Sequence, residues 1–141
     1  PQNLPFTEVW HDLSEVIGQG ITVKAAGGNK EFAVKPVRGM NNGDCISIDG
    51  QSVTKDALME AWSIMRTYGF ISAGNMPGEL TAVSNEVISL LSRLEYCPQI
   101  QVSSRYSEIS KPGSIGIQLH PKSNPLVFRA DQNEAMRVKS A

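Results

Sequence analysis

The feature that most constrains the fold is an alternation of apolar and polar residues on both sides of a glycine-containing turn. Apolar side chains recur at every second position in residues 21–25 and 31–35, and Gly27, Gly28 and Asn29 lie between the two segments. A two-residue period is typical of strands with one buried face, and Gly and Asn tolerate the backbone of tight turns. The pattern therefore predicts an antiparallel hairpin. A phosphate-binding glycine loop is not indicated, because such a loop leads into a helix and here a second strand follows.

Three other segments repeat their apolar residues with the 3.6-residue period of a helix. They predict helices at residues 7–17, 54–68 and 80–94. Thr7 is a candidate N-cap for the first helix, and Gly69 is expected to end the second.

Short alternating segments return elsewhere in the chain. They predict strands at residues 45–48, 100–104, 115–119 and 126–130. Residues 69–79 contain glycine and proline and are interpreted as a linker.

Together these elements predict an α+β fold in the order αβββ-α-αβββ. Three helices would pack on one face of a mostly antiparallel sheet of about six strands. The length of 141 residues and the apolar content of 40% suit a single domain over residues 1–141. The similar order of elements in residues 7–50 and 80–130 is interpreted as chance, with a structural pseudo-repeat as the alternative.

The overall charge and hydropathy exclude some classes of function. The formal net charge is −1, so the molecule has no global field that attracts nucleic acid or membranes. No apolar run approaches the roughly 18 residues of a membrane span, and the first residues do not resemble a signal peptide. We expect a soluble cytoplasmic protein, and an exported domain whose leader has been removed is the alternative.

Charge is nevertheless segregated along the chain. Residues 1–20 contain three acidic residues and no Lys or Arg, and residues 44–98 contain seven acidic residues against three basic ones. Residues 21–43 and 99–130 each contain four basic residues against one acidic residue. The predicted strands are therefore basic and the predicted helices acidic.

Strand alternation predicts where these basic side chains point. If Phe32 and Val34 face the helices, Lys24 and Lys35 face away from them. The same argument places five polar residues on the outward side, namely Gln101, Ser103, Arg105, Gln118 and His120. The predicted binding residues on or beside this face are Lys24, Lys35, Arg38, Arg105, Lys122 and Arg129. Such a face suits phosphates or an acidic protein surface, and an ordinary solvent-exposed sheet face is the alternative.

The two cysteines, Cys45 and Cys97, have neither a CxxC nor a zinc-ribbon spacing. They are interpreted as reduced, partly buried thiols, and a single disulfide is the alternative. His11 and His120 share no ligand spacing with them, so neither a metal nor another cofactor is predicted.

The sequence therefore favours a non-enzymatic binding and assembly protein, homo-oligomeric, whose basic sheet face contacts an anionic partner. That partner would be a nucleic-acid backbone or an acidic protein surface. One alternative is a small enzyme with a site built from Cys45 and His120. Another is a structural subunit of a homo-oligomeric ring, filament or shell.

Overall fold

The computed structural model describes residues 4–26, 28–37 and 45–119. The helices in these residues are α1 (Phe6–Ile17), α2 (Lys55–Tyr68) and α3 (Ser84–Leu91). The strands are β1 (Ile21–Lys24), β2 (Glu31–Pro36), β3 (Cys45–Ile48), β4 (Gln51–Thr54), β5 (Phe70–Ser72), β6 (Gln99–Gln101) and β7 (Ile115–Gln118). Short 3-10 helices span Ala73–Asn75, Gly78–Val83 and Ser104–Tyr106. The predicted α+β class is confirmed.

The strands form two antiparallel sheets, where the sequence analysis expected one. A four-stranded sheet has the order β1-β2-β3-β4, and a three-stranded sheet has the order β5-β7-β6. Strands β4 and β5 were not predicted, and β5 falls within the segment interpreted as a linker. The predicted strand at residues 126–130 lies outside the described residues, so the pseudo-repeat that includes it stays an alternative.

The predicted hairpin of β1 and β2 is confirmed, with Ile21 opposite Val34 and Lys24 opposite Glu31. A second hairpin joins β3 to β4 through Asp49 and Gly50, whose φ angles are 53° and 84°. Two consecutive left-handed residues make the two-residue turn that matches the natural twist of paired strands. The Asp-Gly dipeptide thus sets the pairing of β3 with β4.

The ends of α1 and α2 follow from local hydrogen bonding. Thr54 precedes α2, and its hydroxyl accepts a hydrogen bond of 3.1 Å from the backbone N–H of Ala57. Gly69 ends α2 in the left-handed conformation, as predicted. At α1 the prediction of Thr7 as the cap is wrong, because the helix begins one residue earlier and Pro5 occupies the cap position.

The main core lies between the helices and the inner face of the four-stranded sheet. Helix α1 buries Val9, Leu13 and Ile17, which recur at the four-residue spacing of one helix face. The strands contribute Val23, Phe32, Val34, Ile46, Ile48 and Val53 to the same cluster. Burying each such side chain stabilises the fold by about 1.5–3 kcal/mol. This packing fixes which face of the sheet points outward.

In the three-stranded sheet, β5 and β7 are covered on both faces, whereas the edge strand β6 exposes Gln99 and Gln101. Ile71 and Ile117 join the main core, whereas Phe70 and Ile100 belong to a smaller cluster on the opposite face. Tyr106 packs against that smaller cluster, with its ring centroid 5.0 Å from that of Phe70. The four-stranded sheet differs, because most residues on the side facing away from the helices are exposed, although Ser47 is half-buried and Cys45 is buried.

Helix α3 is shorter than the helix predicted at residues 80–94, since Gly78–Val83 forms a 3-10 helix ahead of it. It contacts β1 of one sheet and both β5 and β7 of the other. The buried hydroxyl of Ser89 accepts a 2.7 Å hydrogen bond from the backbone N–H of Ala26, in the turn of the first hairpin. Helix α3 thereby ties the two sheets together.

The segment after β6 is held against β5 by hydroxyl groups. The Ser72 hydroxyl donates a 2.7 Å hydrogen bond to that of Ser110, and both side chains are buried. Gly74 allows this close approach, because a Cβ there would stand 2.6 Å from the Cα of Ser110. These serines hold structure together and do not form a catalytic arrangement.

Candidate binding face of the four-stranded sheet

The candidate site is the side of the four-stranded sheet that points away from the helices. We call it the outer face and define it as Thr22, Lys24, Glu31, Ala33, Lys35, Ser47 and Ser52. All of these side chains are exposed except Ser47, which is half-buried. The outward orientation predicted for Lys24 and Lys35 is confirmed.

The two lysines of the outer face have different electrostatic surroundings. Lys24 lies directly across the strands from Glu31, so its charge is partly compensated. Lys35 lies opposite Ser47, and at 3.3 Å per residue it stands roughly 13 Å along β2 from Glu31. Lys35 is therefore the less compensated cation of the pair.

Short side chains surround the lysines. Thr22 pairs with Ala33, and Ser47 lies between Lys35 and Ser52 across neighbouring strands. None of these short side chains reaches as far from the sheet as an extended lysine. The two lysines are therefore the parts of the outer face that a large flat partner meets first. Lys30 adds less positive charge to this region than the two lysines, because its Nζ is 3.6 Å from the Asp49 carboxylate.

Arg105, another of the predicted binding residues, does not extend this surface. Arg105 belongs to the 3-10 helix that follows β6, where the Ser103 hydroxyl accepts a 3.2 Å hydrogen bond from its backbone N–H. It is thus part of a connection of the three-stranded sheet and is not on the outer face. Arg38, Lys122 and Arg129 lie outside the described residues.

Two of the polar residues predicted to point outward are buried, so that part of the prediction is wrong. Ser103 and Gln118 are 3% and 1% exposed, whereas Gln101 is exposed as predicted. The chain leaves the strand conformation after Gln101, which ends the alternation before Ser103. Gln118 is buried because both faces of its strand are covered. His120 lies outside the described residues.

Both cysteines are unpaired and buried, so the disulfide alternative is wrong. Burial raises the pKa of the Cys97 thiol well above its usual range and keeps it protonated. Cys45 is only 2% exposed, which leaves its sulfur little access to a substrate. These surroundings do not resemble the exposed, electropositive setting of a reactive thiolate.

A second surface feature was not predicted from the sequence. A cleft of about 450 Å³ lies beside α1 and is lined by Asp12, Glu15, Val16, Arg93, Leu94, Glu95 and Tyr96. We call it the α1 cleft. It brings together residues more than seventy positions apart, and no local pattern links them in the sequence.

The floor of the α1 cleft is organised by one hydrogen bond. The Tyr96 hydroxyl donates to a carboxylate oxygen of Asp12 at 2.6 Å, and the ring of Trp62 packs edge-on against the Tyr96 ring. Burial, together with this hydrogen bond to Asp12, raises the pKa of Tyr96. The phenol therefore stays protonated at neutral pH and holds the Asp12 carboxylate in place.

The part of the chain that the structure describes contains neither a candidate membrane span nor a candidate metal site. No helix there is both long and apolar enough to cross a membrane. In the same residues no three side chains of His, Cys, Asp or Glu are grouped so that they could hold a metal ion. Comparison of the chain with protein-family models, with curated proteins and with solved structures finds no significant match.

Proposed function

We propose that this protein is a non-enzymatic binding and assembly protein whose basic outer face contacts an anionic partner. The partner is either a nucleic-acid backbone or an acidic protein surface. The observation that carries the proposal is the exposure of Lys24 and Lys35 on one open sheet face, among short side chains. Arg38, Lys122 and Arg129 stay predicted contacts to the same partner, whereas Arg105 is not on the outer face.

The chemistry of the face favours contacts to charge over the reading of bases. Lysine ammonium groups bind phosphates or carboxylates as point charges, and such contacts carry no sequence information. Stacking of bases requires exposed aromatic rings, and Phe32, the aromatic residue of β2, points into the core. We therefore expect binding that is indifferent to nucleotide sequence.

We also propose a cellular compartment for the protein. Unpaired buried thiols such as Cys45 and Cys97 suit a reducing compartment, and we place the protein in the cytoplasm.

The proposal is tested by neutralising the two lysines together. Lys24→Gln/Lys35→Gln should weaken binding to a mixed-sequence DNA oligonucleotide or to polyglutamate, measured by fluorescence anisotropy across a salt series. For DNA, losing two phosphate contacts should reduce the slope of log K against log salt concentration by about 2. Lys24→Gln and Lys35→Gln are also measured singly, and Lys111→Gln is their matched control, because it removes one charge at a position exposed in a turn of the other sheet region.

Several results would overturn the proposal. One is the absence of binding to both probes at low salt. Another is binding that does not weaken as salt is added. A third is an equal loss of affinity in the Lys111→Gln control, which would mean that only net charge matters.

A further inference from the structure

The exposed side of α1 is acidic, so its charge is opposite to that of the basic outer face. Residues 1–20 contain Glu8, Asp12 and Glu15 and no Lys or Arg, and the Nε2 atom of His11 lies 3.8 Å from the Glu15 carboxylate. Glu8 and Glu15 are exposed, and the side chain of Glu15 is 71% exposed. Since residues seven positions apart return to the same side of a helix, Glu8 and Glu15 face solvent together.

The acidic side of α1 and the outer face lie on opposite sides of the layer that α1 and the four-stranded sheet form together. Helix α1 packs its apolar stripe, Val9, Leu13 and Ile17, into the core formed with the inner face of the four-stranded sheet. Its acidic side must therefore point away from the sheet. The outer face points in the opposite direction, so the two surfaces cannot meet within one molecule.

The α1 cleft has the chemistry to receive a lysine side chain. Val16, Leu94 and the ring of Tyr96 provide apolar contact for the methylene stem. Asp12, Glu15 and Glu95 outnumber the single guanidinium of Arg93. The Asp12 carboxylate is already oriented by Tyr96, so little side-chain freedom is lost when a cation binds there.

We propose that the occupant of the α1 cleft is Lys35 of a second copy of this chain, so that copies assemble head to tail. This inference rests on the proposed function, because it names the acidic protein surface that the outer face binds. Lys35 is the suitable donor because its cross-strand neighbour is Ser47, whereas Lys24 faces Glu31. Contact between two different patches continues from copy to copy and builds a filament or a closed ring.

The experiment uses reversed charges on the two sides of the proposed contact. Lys35→Glu and Glu15→Lys should each lower the self-association constant about tenfold or more at low salt, because the first turns attraction into repulsion and the second cancels the net negative charge of the cleft. Mass is measured by light scattering and sedimentation over a concentration series. Lys111→Glu and Glu60→Lys are the matched controls, because they make the same charge changes at other exposed positions.

Mixing the two variants is the decisive measurement. Lys35→Glu keeps an intact cleft, and Glu15→Lys keeps an intact Lys35. An equimolar mixture should therefore recover assembly that neither variant shows alone, with the altered residues pairing in the reversed sense. Glu15→Gln, which removes the charge without reversing it, replaces Glu15→Lys if circular dichroism shows that the latter is unfolded.

The outcomes separate this inference from the proposed function. A wild-type protein that stays monomeric at low salt and high concentration, yet binds DNA through Lys24 and Lys35, overturns assembly and leaves the proposed binding of an anionic partner standing. Failure of both assembly and probe binding overturns both. Assembly that survives either charge reversal, or a mixture that fails to recover it, overturns the pairing of Lys35 with the α1 cleft.

Discussion

At the scale of single residues, burial shifts the pKa values of two neighbouring side chains, Tyr96 and Cys97. Cys97 is fully buried next to Tyr96, and the pKa values of both groups are raised, chiefly by burial. A group that is protonated in the native state and ionised in the unfolded state makes stability depend on pH. We therefore expect the stability of the fold at alkaline pH to depend on this position.

We expect the free energy of unfolding to fall as pH rises above about 8.5, where cysteine ionises in the unfolded chain. The native state keeps its proton on Cys97 and the unfolded state loses it, so alkali favours unfolding. The slope from Cys97 should approach about 1.4 kcal/mol per pH unit. Urea unfolding at pH 7, 9 and 10 measures it.

Cys97→Ser and Cys97→Ala provide the control for this pH dependence. Both remove the ionisable thiol and leave every other titratable group in place. Both should therefore show a shallower decline than the wild type, whatever their stability at pH 7. An unchanged slope in both variants would show that Cys97 is ionised or exposed in the native protein.

At the scale of elements, the junction between β4 and α2 depends on one side chain. Thr54 ends β4 and also caps α2 through its hydroxyl. Thr54→Ala should reduce the free energy of unfolding by about 1 kcal/mol, because the N–H of Ala57 loses its acceptor. Thr54→Ser retains the hydroxyl and should stay within about 0.5 kcal/mol of the wild type. Equal losses in the two variants would mean that strand packing, rather than capping, accounts for the effect.

An element was predicted correctly where the spacing of its apolar residues and the residues that start or end it indicate the same structure. Helix α2 shows a clear stripe, a capping Thr54 and a terminal Gly69, and its predicted range of residues 54–68 differs from the structure by one residue. The first hairpin was predicted for the same reason. Local propensity and tertiary burial coincide in these segments, so periodicity alone is informative.

Two strands were missed because their patterns carry little periodic signal. Strand β4 buries only Val53, so the sequence shows no alternation there, although the preceding Asp49-Gly50 is a strong hairpin signal. Strand β5 is three residues long and buried throughout, as expected of a strand covered on both faces. Which segments cover it depends on the tertiary fold and cannot be seen in local sequence.

The candidate site was predictable only where the strand is regular. Lys24 and Lys35 point outward because β1 and β2 alternate without interruption. Extending the same alternation to Ser103 and Gln118 failed because one lies beyond its strand and the other in a strand covered on both faces. The α1 cleft was not predictable, because it depends on the contact between Asp12 and Tyr96 across most of the chain.

At the scale of the whole molecule, the separation of charge along the chain becomes a separation in space. The acidic helix α1 covers the inner side of the four-stranded sheet, and the lysines occupy its outer side. Within the described residues the acidic side of α1 and the two outward lysines of the sheet thus face in opposite directions, even though the formal net charge of the chain is only −1. Added salt should therefore weaken its contacts with charged partners far more than it weakens its fold.

The order of strands in the two sheets has a consequence for how the chain folds. Strands β1 to β4 pair with their immediate neighbours in sequence, whereas β5 pairs with β7 across the whole segment that contains α3 and β6. Closing a long loop costs more entropy than forming a hairpin, so the second sheet should form later. Pulse-labelling hydrogen exchange during refolding should show protection of β2 and β3 amides before those of β7. Simultaneous protection would mean that α3 brings both sheets together in one step.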